Sequence, residues 1–495
     1  MAKEGKTMRT RGRRKANGVA VRQMIVMLIV IQLLVPLSGC ALLVGQGLVG
    51  VQSQTLEQPI PEAERYPVIV IPGVLGTRLI DQETDQVVWG RYDRIHLLKT
   101  RVSNPSALAL PMVPGQRLDE LKDDVVPDGT LAYLQVKVLG VPVELQAYQG
   151  ILATLAVGGY RDPRAPMKFR SPYGDDHFSC FQFDYDWRRD VSENAERLDQ
   201  FIHAKRQELQ AEYRKRYGQE RSDLKFDIVA HSLGGLLTRY YLRYGGQRIQ
   251  PDQAPALTWE GASNVRKAIL VGIPNSGSTF AVEDLVNGHQ LSRFFPYYPP
   301  AVLGTMPSVY QLLPHSQEHR VLDAATGEPL DLYDVCTWME HGWGLAGRDN
   351  ARDLKELLPS IDREEDRYMI AVDHLQKCLA QAKAFHQSLD FPAKPPMGTS
   401  LHLIVGTSVK TPSVLEADSG NKNLSLQKSE AGDNTTTVSS AFGPVPSGQP
   451  AIAWASIDEV SAEHRKLTSD PEFTARMLAL LLDSRRNESH NEHLQ

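Results

Sequence analysis

The sequence predicts an α/β fold in which a mainly parallel central sheet is flanked by helices and interrupted by long insertions. Three observations carry this reading. First, Val68-Ile69-Val70-Ile71 is an uninterrupted β-branched run closed by Pro72-Gly73, the pattern of a strand buried on both faces of a parallel sheet. Similar runs follow at Cys180 to Tyr185, Phe226 to Ala230, Ala268 to Ile273 and Leu401 to Val405. Second, Leu198, Phe201, Ile202, Leu209 and Tyr213 recur at helical intervals among charged residues between the second and third runs, as on an amphipathic helix. Strand, helix, strand is a βαβ unit, and its repetition implies a parallel sheet. Third, the segments 83–174 and 275–397 break this rhythm. Connections longer than about 12–15 residues usually carry structure or function of their own.

Composition bounds the function. The chain has 495 residues, 42% hydrophobic and 23% charged, which is ordinary globular composition and excludes wholesale disorder. Lys+Arg number 54 against 59 Asp+Glu, a formal charge of −5. No basic surplus is available to offset nucleic-acid phosphates, so a nucleic-acid partner is not expected.

Taken in order, residues 1–39 read as a signal peptide. Lys3, Lys6, Arg9, Arg11, Arg13, Arg14, Lys15 and Arg22 precede the apolar run Met24 to Leu37, which only Gln32 and Pro36 interrupt. The run is shorter than the ~20 residues a membrane-spanning helix needs. It ends in Leu37-Ser38-Gly39-Cys40, which resembles the bacterial lipobox and implies a lipid on Cys40. Several acyl chains hold a protein stably where one is marginal, so the expected location is the bacterial cell envelope, anchored through the N-terminus. Ala41 rather than Asp follows the cysteine, which favours the periplasmic side of the outer membrane in a Gram-negative cell.

Residues 40–65 read as a flexible tether, 66–482 as the folded domain and 483–495 as a polar tail. In the second insertion, Phe294-Phe295-Pro296-Tyr297-Tyr298-Pro299-Pro300 leads into Leu303, Met306, Val309, Leu312 and Leu313. These residues would suit a cap over an apolar pocket, with an ordinary core patch as the alternative. Cys180, Cys336 and Cys378 permit at most one intramolecular disulfide, and no Cys/His spacing points to zinc. Neither a metal nor a cofactor is expected.

Chemistry concentrates at Lys225-Phe226-Asp227-Ile228-Val229-Ala230-His231-Ser232-Leu233-Gly234-Gly235-Leu236-Leu237, which reads as a strand, a small-residue turn and a helix. The turn is similar to the nucleophile elbow G-x-S-x-G, with Ala230 in the place of the first glycine. Ser232 would stand at the carboxyl end of its strand before a helix N-terminus, where backbone N–H groups favour negative charge. His231 is adjacent in sequence, so it cannot easily bond the serine hydroxyl, and a structural role is expected for it.

Four further segments extend this pattern. They are Tyr66-Pro67-Val68-Ile69-Val70-Ile71-Pro72-Gly73-Val74-Leu75-Gly76-Thr77-Arg78-Leu79, Phe183-Asp184-Tyr185-Asp186-Trp187-Arg188, Gly432-Asp433-Asn434-Thr435-Thr436-Thr437-Val438 and His464-Arg465-Lys466-Leu467. With the serine turn, and in this order, they resemble the lecithin:cholesterol acyltransferase-like branch of the α/β hydrolases, which also holds phospholipid:diacylglycerol acyltransferases and lysosomal phospholipases. Two departures stand in the acid loop: Asn434 replaces a glycine of the family's G-D-G-T-V, and one threonine has become three.

The resemblance implies a catalytic triad of Ser232, Asp433 and His464. Chain order agrees, because α/β hydrolases run serine, acid, histidine, and of the histidines after Asp433 only His464 lies outside the charged tail that holds His490 and His493. Asp418 and Asp458 remain alternative acids. The oxyanion donors would be the backbone N–H of Leu233 and, by carry-over from the family, of Val74. Trp187 would line the acyl-binding region or pack beneath the oxyanion loop. The implied activity is a membrane-tethered serine O-acyltransferase or phospholipase acting on acyl lipids at a membrane surface. A general esterase or lipase, and a non-catalytic envelope lipoprotein on the same scaffold, are the competing readings.

Overall fold

Six strands form one all-parallel sheet: β1 (Val68–Ile71), β2 (Cys180–Gln182), β3 (Phe226–His231), β4 (Val265–Val271), β5 (Ser400–Gly406) and β6 (Ser456–Val460), in the spatial order β2-β1-β3-β4-β5-β6. The structure is a computed structural model that describes residues 65–92, 105–131, 133–138, 141–146, 148–164, 179–251, 253–290, 296–315, 318, 320–418 and 423–482. The expected signal peptide, Cys40, nearly all of the tether, Phe294 and Phe295, and the polar tail lie outside the described residues. Folded structure is already under way at Arg65, the last residue assigned to the tether: it is buried, and its Nη1 donates to the Gly158 carbonyl at 3.1 Å.

The β-branched runs are explained by two apolar layers. Alternate residues of a strand point to opposite faces, and Ile69 and Ile71 enter one core while Val68 and Val70 enter the other. Ile228 against Val229, Leu270 against Val271, and Leu403 against Ile404 divide in the same way. The larger layer contains α2 (Val191–Tyr217), α3 (Leu233–Tyr244) and α4 (Glu364–Asp390); the smaller contains α1 (Gln149–Val157) and α5 (Pro471–Leu482). Helix α2 begins seven residues before Leu198 because Asp190 caps it, accepting from the N–H of Ser192 at 2.8 Å and of Glu193 at 3.2 Å. It stops at Gly218, whose φ of 64° is the left-handed conformation that ends helices.

The first insertion pairs Val87–Trp89 and Val125–Thr130 antiparallel with the preceding strand Thr77–Asp81, and adds a hairpin of Tyr133–Val138 with Val141–Gln146, and α1. The second contributes mainly helices, ending in α4. Leu303, Met306, Val309 and Leu313, which suited a cap in sequence, are buried in the larger layer with α3. Cys180, Cys336 and Cys378 are free thiols, and only Cys336 is exposed. Among the described residues no helix is long and apolar enough to cross a membrane.

Strand order places the site. The chain runs from β1 outward to β2 and then returns to the other side of β1 for β3, so connections leave β1 and β3 in opposite directions. Ligands bind in α/β sheets at such a switch point, outside the carboxyl ends of the strands. The loop after β1 begins at Pro72 and the turn after β3 holds Ser232.

Candidate active site

Ser232 occupies a strained corner. Its φ of 53° and ψ of −124° lie where a side-chain-bearing residue rarely sits, and its N–H bonds the Val271 carbonyl at 2.9 Å. The glycines around it are required by close approach. A Cβ on Gly73 would meet the Ser232 Cβ at 2.8 Å, and one on Gly234 would meet the Pro72 carbonyl oxygen at 2.4 Å. Ala230, which departs from the elbow pattern, is fully buried in the larger apolar layer, where its methyl is accommodated.

The three residues nominated in sequence meet here. His464 Nε2 is 3.1 Å from Ser232 Oγ, and its Nδ1 is 2.7 Å from Asp433 Oδ2. All three are buried, at 5%, 8% and 1% exposure for Ser232, His464 and Asp433. A neutral imidazole that donates Nδ1–H to the carboxylate presents Nε2 as an acceptor to the serine hydroxyl. Asp433 Oδ1 accepts the N–H of Thr435 at 3.0 Å and of Thr436 at 2.6 Å, which turns Oδ2 toward the ring. The His464 N–H also bonds the Asp433 carbonyl at 2.7 Å, so the two residues are tied through backbone as well as side chain.

The acid arrives by a detour. After β5 the chain runs out along Val409–Ala417 and back along Leu424–Gly432, and the pairing of Val409 with Gly432 returns it to the end of β5. Gly406 and Gly272 leave room: a Cβ on Gly406 would stand 2.6 Å from the Asp433 Cβ, and one on Gly272, whose φ is +55°, would stand 3.2 Å from both Asp433 Oδ2 and His464 Nδ1. Asn434 has φ +78°, and Asn is among the few residues that enter this region readily, which explains how it replaces glycine. The threonine run is employed throughout. The Thr435 carbonyl accepts from Ser278 Oγ, Thr436 Oγ1 reaches the Gly272 carbonyl, and Thr437 caps the following helical turn. Asp458 instead faces Arg476 at 3.6 Å, and the Asp418 N–H bonds the Asn423 carbonyl; Asp433 is the acid bonded to His464.

His231 does not bond Ser232. Its Nδ1 is 2.9 Å from Tyr148 Oη, and burial pushes its pKa well below the usual histidine value. Tyr148 Oη also accepts the Gly73 N–H at 2.7 Å. That donor is therefore engaged, and the next along the loop is the Val74 N–H. Gly76 N–H closes a turn on the Gly73 carbonyl at 3.1 Å with Leu75 at φ 65°. The second nominated donor, Leu233 N–H, opens α3 at its N-terminus, where the helix dipole favours negative charge.

The segment Tyr185 to Arg188 supports this loop from below. Tyr185 Oη donates to the Pro72 carbonyl at 2.9 Å and Trp187 Nε1 to the Thr77 carbonyl at 3.1 Å. Trp187 is 1% exposed and meets Trp89 edge-on at 5.4 Å, so it packs under the loop rather than in the open. Arg188, fully buried, pairs with Asp186 and reaches Asp123 at 2.7 Å and the Leu108 carbonyl at 3.2 Å. Sequence reasoning missed Tyr148, whose contacts span 75 and 83 positions and leave no local pattern. Among the described residues no group of three or more His, Cys, Asp or Glu is placed to hold a metal.

The model of the lecithin:cholesterol acyltransferase family matches residues 176–428, just over half of the chain; the match includes Ser232 and ends before Asp433. No curated protein matches at a significant level. Among solved structures, a chain of the Tle4–Tli4 complex is 13% identical, covering 84% of this chain and 98% of that one, with a TM-score of 0.51. Lipase 1 from Pelosinus fermentans is 11% identical over 84% of this chain and 98% of that one, with a TM-score of 0.33. At 13% identity and a TM-score of 0.51 the likeness to the first is one of fold, and the architecture is that of an α/β hydrolase.

Proposed function

Because the chain belongs to the lecithin:cholesterol acyltransferase family, we propose that it is a membrane-tethered serine O-acyltransferase or phospholipase acting on acyl-lipid esters. Family membership supports an acyl-ester hydrolase or acyltransferase in general; the finer reading rests on the site. The observation that carries it is the His464 imidazole bridging Ser232 Oγ at 3.1 Å and Asp433 Oδ2 at 2.7 Å.

In this reading Ser232 Oγ attacks the ester carbonyl while His464 Nε2 takes its proton, and Asp433 holds the ring and stabilises the imidazolium. The tetrahedral oxyanion is held by the N–H groups of Val74 and Leu233, each such donor contributing ~2.7–4 kcal/mol to the transition state. His464 then returns the proton to the departing alcohol. The acyl group on Ser232 passes to an alcohol acceptor or to water, and the same proton relay serves both. A lipid on Cys40 would concentrate the enzyme at the surface where acyl lipids reside.

A fluorophosphonate probe tests the nucleophile. Wild-type protein is expected to label at Ser232 and Ser232→Ala to remain unlabelled; a folded wild type that does not label would remove the enzymatic reading. Mass analysis of products from phospholipid vesicles, with and without an added alcohol, separates transfer from hydrolysis. Metabolic labelling with an alkyne fatty acid, lost in Cys40→Ala, tests the anchor.

A further inference from the structure

We propose that Tyr148, held by His231, is a positioning residue that sets the oxyanion loop; this rests on the reading of Ser232 as the nucleophile. Tyr148 enters from the first insertion, at the start of α1, and is 5% exposed. Its hydroxyl joins two parts of the site, the Gly73 N–H at 2.7 Å and His231 Nδ1 at 2.9 Å. The tyrosine and histidine rings meet edge-on at 5.7 Å, and the His231 ring lies 4.6 Å from that of His464.

Hydrogen-bond capacity orders the protons along this chain. A phenol that accepts from Gly73 has its own proton free to donate, and the neutral His231 offers Nδ1 as acceptor. The histidine proton then sits on Nε2, which is buried without a hydrogen-bond partner. Burial keeps His231 neutral, so its Nδ1 remains an acceptor across the physiological range.

Loop geometry gives the chain its purpose. The peptide joining Gly73 to Val74 carries both the Gly73 carbonyl, which accepts from Gly76, and the Val74 N–H, which points the opposite way. Gly73 is the joint before this peptide and has to be a glycine, because a Cβ there would strike Ser232. Tyr148 Oη fixes the near side of the joint through the Gly73 N–H. Its ring also fills the space beside Gly76, where a Cβ would lie 2.7 Å from Tyr148 Cε2. Without the hydroxyl, the Gly73 N–H is left unsatisfied in a buried place, and the loop keeps its bonds through Pro72 and Gly76 but loses the one that sets the peptide nearest the Val74 donor.

The full chain carrying Tyr148→Phe is assayed on a p-nitrophenyl ester, with binding of an alkyl trifluoromethyl ketone as a stand-in for the tetrahedral state. Misplaced oxyanion donors cost about 10- to 100-fold in rate. We expect kcat to fall by that factor with KM within about threefold, and ketone affinity to weaken in step with kcat/KM. Wild-type kcat and ketone affinity in Tyr148→Phe overturn the proposal, as does a loss confined to KM. His231→Asn, whose amide oxygen can still accept from Tyr148, is expected to recover much of the rate that His231→Leu loses. If Tyr148→Phe does not fold, that pair decides, and equal rates for the two overturn the proposal. Wild type that fails to label at Ser232 would instead refute the nucleophile reading on which it stands.

Discussion

Asp433 divides its two oxygens between different tasks, and each can be tested separately. Oδ1 accepts two backbone N–H groups of the threonine run and Oδ2 faces His464 Nδ1. In Asp433→Asn the amide oxygen keeps the backbone bonds, so the NH₂ group faces the imidazole and forces the proton onto Nε2. That tautomer cannot accept from serine, and such a change costs about 10⁴-fold in kcat. A steady-state ester assay on Asp433→Asn, with unchanged circular dichroism, is the check. At Asn434 the φ of +78° sets the expectation instead. Asn434→Gly should be near neutral, and Asn434→Ala should lose about 1–2 kcal/mol in urea denaturation, because alanine lacks both freedoms. Asn434 shows how a departure from a family motif becomes intelligible once its dihedral angle is known.

The Tyr185 to Arg188 segment acts as a clamp between the first insertion and the sheet. Arg188 and Asp186 are 0% and 1% exposed, and removing Asp186 takes two of the hydrogen bonds from a buried guanidinium and leaves Asp123 as its one carboxylate partner. Asp186→Ala is therefore expected to cost about 3–5 kcal/mol of stability, read as a lowered denaturation midpoint. Strand β1 was legible because its four residues are all apolar and feed two layers alternately. Strand β6, Ser456-Ile457-Asp458-Glu459-Val460, was not. It lies at the sheet edge with Ile457 and Glu459 exposed, so no continuous apolar run marks it. The motif residues of the site were legible because their chemistry demands particular side chains next to particular turns. Tyr148 was invisible for the opposite reason: a hydroxyl bonding a distant backbone N–H imposes nothing on its sequence neighbours.

Taken whole, the molecule buries several neutral histidines, and this couples its stability to pH. Burial drives His374 down to about 4 and His231 and His386 well below the usual value of 6.5. Between pH 6.5 and the lower folded values the unfolded chain binds these protons and the folded chain does not. Stability therefore falls as pH drops below about 6.5, by up to ~1.4 kcal/mol per pH unit for each histidine. Urea denaturation at pH 7.5, 6 and 5 should show this decline, and His374→Gln, whose amide can still donate to the Thr305 carbonyl that His374 Nε2 meets at 3.0 Å, should flatten it by one proton. The excursion from Val409 to Gly432 carries another consequence. Since its outgoing and returning arms meet where they began, trimming or extending both in register leaves the carboxylate at the same address. Relatives of this chain are thus free to diverge in the reach of that arm while their proton relay stays put.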